Sequence, residues 1–189
     1  MAVADDIARL GESWGAPEFG SGLEPGAAAL DGGEAPLFPL AFAPEAFFTG
    51  RTEGAGVVRD PFGRIVRRCR IVTLGAFVET QQALRFDETF AYDDGEIDIW
   101  RWVMQPGRDG RYVAAEAKAG SGLVGERQGD DYVISFRRPV GRARGALAPH
   151  FRSRFTLLSP DTALKRADIS LLGLPMGSLS AIHRRVTTQ

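Results

Sequence analysis

The chain has 189 residues, is 44% apolar and 25% charged, and carries a formal net charge of −1 at pH 7. That composition belongs to an ordinary globular protein, long enough to bury a core without disulfides or metals. It excludes an internal disulfide, because Cys69 is the single cysteine, and it argues against a nucleic-acid domain, which would carry a strong basic excess.

The N-terminal residues MAVADDIARLGESW lack the basic and apolar regions of a secretory signal, and no cysteine stands there to take a lipid. The chain as it stands therefore reads as cytoplasmic, or as periplasmic if a leader has been removed. No run of about 18 apolar residues is available to cross a membrane as a helix.

Residues 3–13 place Ile7 and Leu10 three apart, which predicts one short helix. Residues 15–46 are rich in Gly, Ala and Pro and show neither helical nor strand period. This stretch reads as an irregular extension, yet Phe19, Leu37, Phe38, Leu40 and Phe42 are too many apolar residues for a free tail. Part of it is expected to pack on the body. Residues 1–46 hold eight acids and one base, a net charge of −7, which leaves +6 on the remainder. The acidic arm either keeps the chain soluble or lies across a basic surface of the body.

From Phe47 the texture changes to short alternating segments. VVRD meets the turn DPFG, with Pro where a type I turn prefers it, and RIVRRCRIVTL follows. ALRFDETFAY puts Leu84, Phe86, Glu88, Phe90 and Tyr92 on one face. DDG makes a tight hairpin into EIDIWRWVMQ. After PGRDGR come YVAAEAKA, LVGERQ, YVISFRR, PHFRSRFTLLS, then the turn SPDT, TALKRADISLL and SLSAIHRRV. Nine or ten short strands joined by tight turns predict an all-β antiparallel barrel or sandwich, and sequential hairpins favour an up-and-down barrel. Gly120, Gly122 and Gly125 mark bends or bulges in its wall. The division is an extension over 1–46 and a β-domain over 47–189.

No sequence motif supplies catalysis. His150 and His183 are the two histidines, and neither lies in a cluster with metal-ligand spacing. No Gly-rich phosphate loop opens a helix and no nucleophile elbow is present. No catalytic residue, metal site or cofactor is assigned. Cys69 lies among arginines that would favour a thiolate, but a lone strand cysteine reads first as a packed small residue.

The densest constellation is FDETFAYDDGEIDIWRWVM, residues 86–104. Alternation puts Ile97, Ile99, Arg101 and Val103 on one face of the second strand, and Glu96, Asp98, Trp100, Trp102 and Met104 on the other. An arginine on an apolar face needs a partner if buried, and Glu88 is the natural one. That pair either fixes the register of the barrel or anchors a ligand head at the end of an apolar cavity. The candidate ligand-binding set is Glu88, Phe90, Tyr92, Arg101 and Trp102. The two tryptophans are core by default and a ligand wall in the alternative.

A second feature is RRPVGRARGALAPHFRSR, residues 137–154, with six arginines and no acid. Together with Arg64, Arg67, Arg68 and Arg70 it could form a basic patch. With Phe136, Phe151 and Phe155 interleaved it has the look of a nucleic-acid stacking platform or of an anionic-membrane contact. An ordinary solvated strand face is the preferred reading.

Phe47, Phe48, Gly50, Gly56, Asp60, Gly63, Val66, Glu88, Phe90, Tyr92, Asp94, Gly95, Arg101, Trp102, Tyr112, Gly120, Gly125 and Tyr132 fall in an order that resembles a bacterial family of unknown function. Many of its members are described as lipoproteins. The resemblance covers about residues 46–186 and implies a lipocalin-like, or calycin-like, barrel. It implies no activity. The chain departs from that pattern in lacking an N-terminal anchor cysteine and in having RSRFTLLSPD where an acid pair before a Trp is usual.

Three functions fit these residues. The first is a non-enzymatic barrel that binds a small apolar or amphipathic ligand. The second is an interaction module whose barrel is filled by its own side chains. The third is an enzyme on the same scaffold, using Glu88 with Asp93, Asp94 or Glu96 as paired acids. The sequence fixes neither a partner protein nor an oligomeric state.

Overall fold

The computed structural model describes residues 41–140 and 147–186. The helix expected over 3–13 and the apolar residues Phe19, Leu37, Phe38 and Leu40 lie outside them, as do Arg142 and Arg144.

A short helix α1 (Pro44–Phe48) precedes ten strands: β1 (Gly50–Arg59), β2 (Ile65–Val78), β3 (Ala83–Tyr92), β4 (Ile97–Pro106), β5 (Arg111–Glu116), β6 (Gly120–Gln128), β7 (Asp131–Arg137), β8 (His150–Ser159), β9 (Thr162–Leu171) and β10 (Leu174–Val186). Each strand pairs antiparallel with its sequence neighbour, and β1 also pairs with β10, so the sheet closes as an up-and-down barrel. Closure leaves no strand edge to template aggregation. The alternation seen in the sequence is the alternation of the wall: in β3, Leu84, Phe86, Glu88 and Phe90 are buried while Arg85 and Asp87 are exposed.

The turns follow from local chemistry. In DPFG the Asp60 carboxylate accepts the backbone N–H groups of Phe62 and Arg64 at 3.0 and 2.9 Å. In DDG the Asp94 carboxylate does the same for Glu96 at 3.0 Å, and Gly95 adopts φ 84°. The expected glycine bends appear at Gly120 and Gly122, whose φ values of 93° and 73° accompany a register shift between β5 and β6. Gly125 plays a different part. The Tyr132 ring lies over it, and a Cβ there would meet the Tyr132 hydroxyl oxygen at 2.0 Å.

Up-and-down connectivity puts α1 at the same barrel end as the β2–β3, β4–β5, β6–β7 and β8–β9 connections. Phe42, Phe47 and Phe48 bury there. The Phe42 N–H donates to the Asp130 carbonyl at 2.8 Å, and the Tyr112 hydroxyl donates to Glu45 at 2.8 Å. Phe48 stacks on Phe86 with ring centroids 4.7 Å apart, and Phe42 on Phe155 at 5.3 Å. The chain before Phe47 thus does pack on the body through Phe42. This end is filled by aromatic rings that continue inward through Trp102, Phe136, Phe151 and Trp100.

The other, distal end carries the remaining hairpins, and several of its apolar residues face solvent. Phe62 is 83% exposed, and Leu172 in the β9–β10 turn is 85% exposed with φ 51°. A γ-branched apolar side chain gains nothing from either condition, whereas Asn tolerates the left-handed region. Leu172→Asn is therefore expected to raise stability by about 0.5 kcal/mol or more, seen as a higher urea midpoint at unchanged slope. A lower midpoint would show that Leu172 makes contacts this reading does not grant it.

Candidate functional site

The barrel interior holds charge at its centre. Glu88, midway along β3, points inward between Phe86 and Phe90 and is 1% exposed. Its register partners are Thr73 on β2 and Trp100 on β4. From β9, Lys165 reaches it: Nζ lies 2.7 Å from both Glu88 carboxylate oxygens. The inward neighbours of Lys165 on its own strand are Ala163 and Ala167, both buried and small. They leave the long side chain room to cross the interior. The Lys165 ammonium also lies 5.0 Å from the ring centroids of Phe90 and Trp100 and 5.3 Å from that of Phe155, close enough for cation–π attraction.

His183 on β10 completes the group. It is fully buried, and Nε2 lies 3.6 Å from Glu88 Oε1, too far for a hydrogen bond. Burial, with the nearby Lys165 charge, pushes the imidazole pKa down to about 3. The ring is therefore neutral at physiological pH. Neither ring nitrogen has a hydrogen-bond partner among the described residues, nor do the hydroxyls of Thr52, Thr73 and Ser153. All four side chains are buried. Thr73 on β2 and Ser153 on β8, the register partner of Ala167, lie on strands that flank Glu88 and Lys165, and Thr52, the register partner of Thr73, lies on β1 between β2 and β10.

The buried neutral imidazole has a consequence for stability. An unfolded chain takes up a proton at this histidine as pH falls below about 6.5, while the folded chain does not until about 3. Stability is thus fully present above pH 6.5 and is lost as pH falls, at up to about 1.4 kcal/mol per pH unit. Urea melts between about pH 7 and pH 5 should show this slope in the wild type and a much flatter one in His183→Gln. A wild type with flat stability across that window would refute the buried neutral ring.

A second charged cluster lies nearer the distal end. Arg138 is fully buried and grips Asp98 with two nitrogens, at 2.7 and 2.9 Å, while donating to the Ile99 carbonyl at 3.2 Å. Its Nε lies 3.2 Å from Glu116 Oε1, an ionic contact without hydrogen-bond alignment. Its guanidinium carbon stands 4.4 Å from the Trp100 ring centroid, and the Trp100 indole donates to Asp98 at 2.8 Å. Lys118 donates to Asp98 at 2.9 Å. Burial pushes the Asp98 carboxyl up, but the hydrogen bonds from Arg138 and Lys118 outweigh it and hold the pKa at about 2.

Of the residues singled out from sequence, Glu88, Phe90 and Trp102 are buried inside the barrel. Tyr92 shares their face, half-buried at the distal end of β3, with Arg67 3.7 Å over its ring. Arg101 does not join them. The expected Glu88–Arg101 pair is corrected: Arg101 lies on the outer wall with its side chain 62% exposed, and its contact is Asp87 at 3.5 Å. Register is the reason, because Arg101 sits directly opposite Asp87 and Glu88 opposite Trp100. The apolar-looking face of Ile97, Ile99, Arg101 and Val103 is the outward one. The turn acids are engaged elsewhere, Asp94 and Glu96 with Arg67 at 2.8 and 2.9 Å, and Asp93 with Arg68 at 3.8 Å. They do not form an acid pair with the buried Glu88.

Arg138 departs from the solvated face expected of residues 137–154, being an interior residue. Lys165, His183, Asp98 and Glu116 were not singled out. Parity held the signal for two of them: in TALKRADIS, Lys165 shares a face with Ala163 and Ala167, and in SLSAIH, His183 shares one with Leu179 and Ala181. Cys69 is buried, and burial pushes its thiol up to about 11, as suits a packed residue. On the outer wall a shallow groove of about 440 Å³, lined by Ala55, Val57, Leu164 and Ile182 among others, has Arg68 as its sole charged group. It gathers no convergent polar groups, so the interior cluster is the better candidate site.

Fold and interior together define a class: a closed antiparallel barrel with a helix-capped aromatic end and neutralised charges within. The chain belongs to DUF3833, a protein family of unknown function, whose profile it matches over residues 39–185. No curated protein matches it. Among solved structures it is similar to the S-type phycobiliprotein lyase CPES from Guillardia theta, with a TM-score of 0.52 and 11% identity over 75% of this chain and 89% of that one. At that identity the likeness speaks for the barrel fold, which is consistent with a lipocalin-like one.

Proposed function

We propose that this protein is a non-enzymatic barrel that binds a small amphipathic ligand, with the polar group of the ligand seated at Glu88, Lys165 and His183. One observation carries the reading. Four fully buried side chains, Thr52, Thr73, Ser153 and His183, present polar atoms without hydrogen-bond partners beside a buried ion pair and a wall of aromatic rings. Buried polar atoms are nearly always satisfied in native proteins, and a few convergent polar groups in an apolar surround are the usual make-up of a small-molecule site. The similar structure is that of a phycobiliprotein lyase. A second reading, a filled barrel acting as an interaction module, draws support from the ring packing at the helix-capped end and from the exposed Phe62 and Leu172 at the other.

Native mass spectrometry of freshly purified protein, set against the denatured mass, tests the two. An adduct that is lost on denaturation and weakened in Thr73→Val/His183→Phe supports the binding barrel. A bare mass, together with no binding of added long-chain amphiphiles, supports the filled barrel.

A further inference from the structure

The interior charges are balanced one against one. Lys165 gives both Glu88 carboxylate oxygens a 2.7 Å contact, and both side chains are 2% exposed. His183 is neutral and fully buried. In the second cluster Asp98 and Glu116 face Arg138 and Lys118. The side chains with no hydrogen-bond partner at all are uncharged: three hydroxyls, of Thr52, Thr73 and Ser153, and one imidazole; the remaining unbonded atoms, Glu116 Oε1, Arg138 Nε and Arg67 Nε, belong to charged groups already held in ion pairs. Each can both donate and accept a hydrogen bond without carrying charge.

We infer that the ligand seated at the centre of this barrel has an uncharged polar head, such as an alcohol, an ester or a ketone, and is neither a carboxylate nor an amine. The inference rests on the binding-barrel reading and deepens it. A fatty-acid anion entering here would find the one central cation already neutralised by Glu88. It would add a buried charge without a counter-ion, in surroundings where such a charge is strongly disfavoured. An alkylammonium head would meet the same difficulty with Lys165. An alcohol or ester head needs hydrogen bonds alone, and the Thr52, Thr73, Ser153 and His183 atoms supply both donors and acceptors. Glu88 is thus a specificity-determining residue through its hold on Lys165, which leaves no free cation at the centre for an anionic head.

The test uses the full chain and four probes of one tail length: dodecanol, methyl dodecanoate, dodecanoate and dodecylammonium. Binding is read at neutral pH by tryptophan fluorescence, since Trp100 and Trp102 both lie in the interior. The expected result is that the alcohol or the ester binds at least about tenfold more tightly than either ion. In Glu88→Gln, which frees Lys165, dodecanoate should gain about tenfold or more, and Glu88→Gln/Lys165→Met should lose that gain. Equal or tighter binding of dodecanoate by the wild type would overturn the neutral-head inference and leave the binding barrel standing. Failure of all four probes to bind the wild type would overturn the barrel reading itself, and the inference with it. The wild-type ranking decides the matter even where Glu88→Gln does not fold.

Discussion

Glu88→Gln and Lys165→Met should each cost about 3–5 kcal/mol of stability, while the two together should cost less than their sum by about 2 kcal/mol or more. Each single change leaves one charge buried, amid aromatic rings, without its counter-ion. The double change leaves none. Lys165 Nζ lies 2.7 Å from both Glu88 oxygens and both side chains are 2% exposed, so solvent offers the orphaned partner little relief. Urea melts of the four proteins measure the coupling. Arg101→Met provides the control. Its side chain is 62% exposed beside Asp87 at 3.5 Å, and exposed pairs contribute about 0–1 kcal/mol. Its cost should be small and additive with that of Glu88→Gln. Additivity between Glu88 and Lys165, or coupling between Glu88 and Arg101, would overturn the pairing described above.

Arg138→Met should cost a similar amount, about 3–5 kcal/mol, because it strips two acids at once. Glu116 keeps its bonds from the Lys118 and Ala119 N–H groups, at 2.9 and 2.8 Å, but loses its only ionic contact among the described residues. Asp98, whose side chain is 18% exposed, keeps Lys118 and the Trp100 indole. Arg138→Lys should restore only part of the loss, since an ammonium cannot hold Asp98 through two parallel bonds and reach Glu116 as well. The second readout is the Asp98 carboxyl. Its pKa of about 2 lies below the ordinary 3.8, so its contribution to stability is present above pH 3.8 and is lost as pH falls through 2. Carboxyl-carbon NMR should place the Asp98 titration clearly higher in Arg138→Met. An unmoved titration would mean that Lys118 and Trp100 hold the carboxylate without Arg138.

Much of this architecture was legible in the residues. Alternation and turn chemistry were enough for nine or ten strands, for the DPFG and DDG hairpins and for favouring an up-and-down order, because each depends on residues within a few positions of one another. Parity grouped Glu88 with Phe90 on one face of β3, and Trp100 with Trp102 on one face of β4, again as a local property. The positive φ at Gly120 and Gly122 was foreseeable for the same reason.

What the sequence could not decide was which faces look inward and which side chains meet across the barrel. Arg101 seemed buried because Ile97, Ile99 and Val103 share its face, yet closure turned that face outward and set Asp87 opposite it. Lys165 stands 77 residues from Glu88, and Arg138 stands 40 from Asp98. No local pattern announces either meeting, because each is made only when the first and last strands pair and the wall closes. The sequence by itself determined the strands, their turns and the alternation of their side chains. Only the tertiary structure decided that two ion pairs and a neutral histidine occupy the interior, since register across a closed sheet sets those distances and burial fixes their charge.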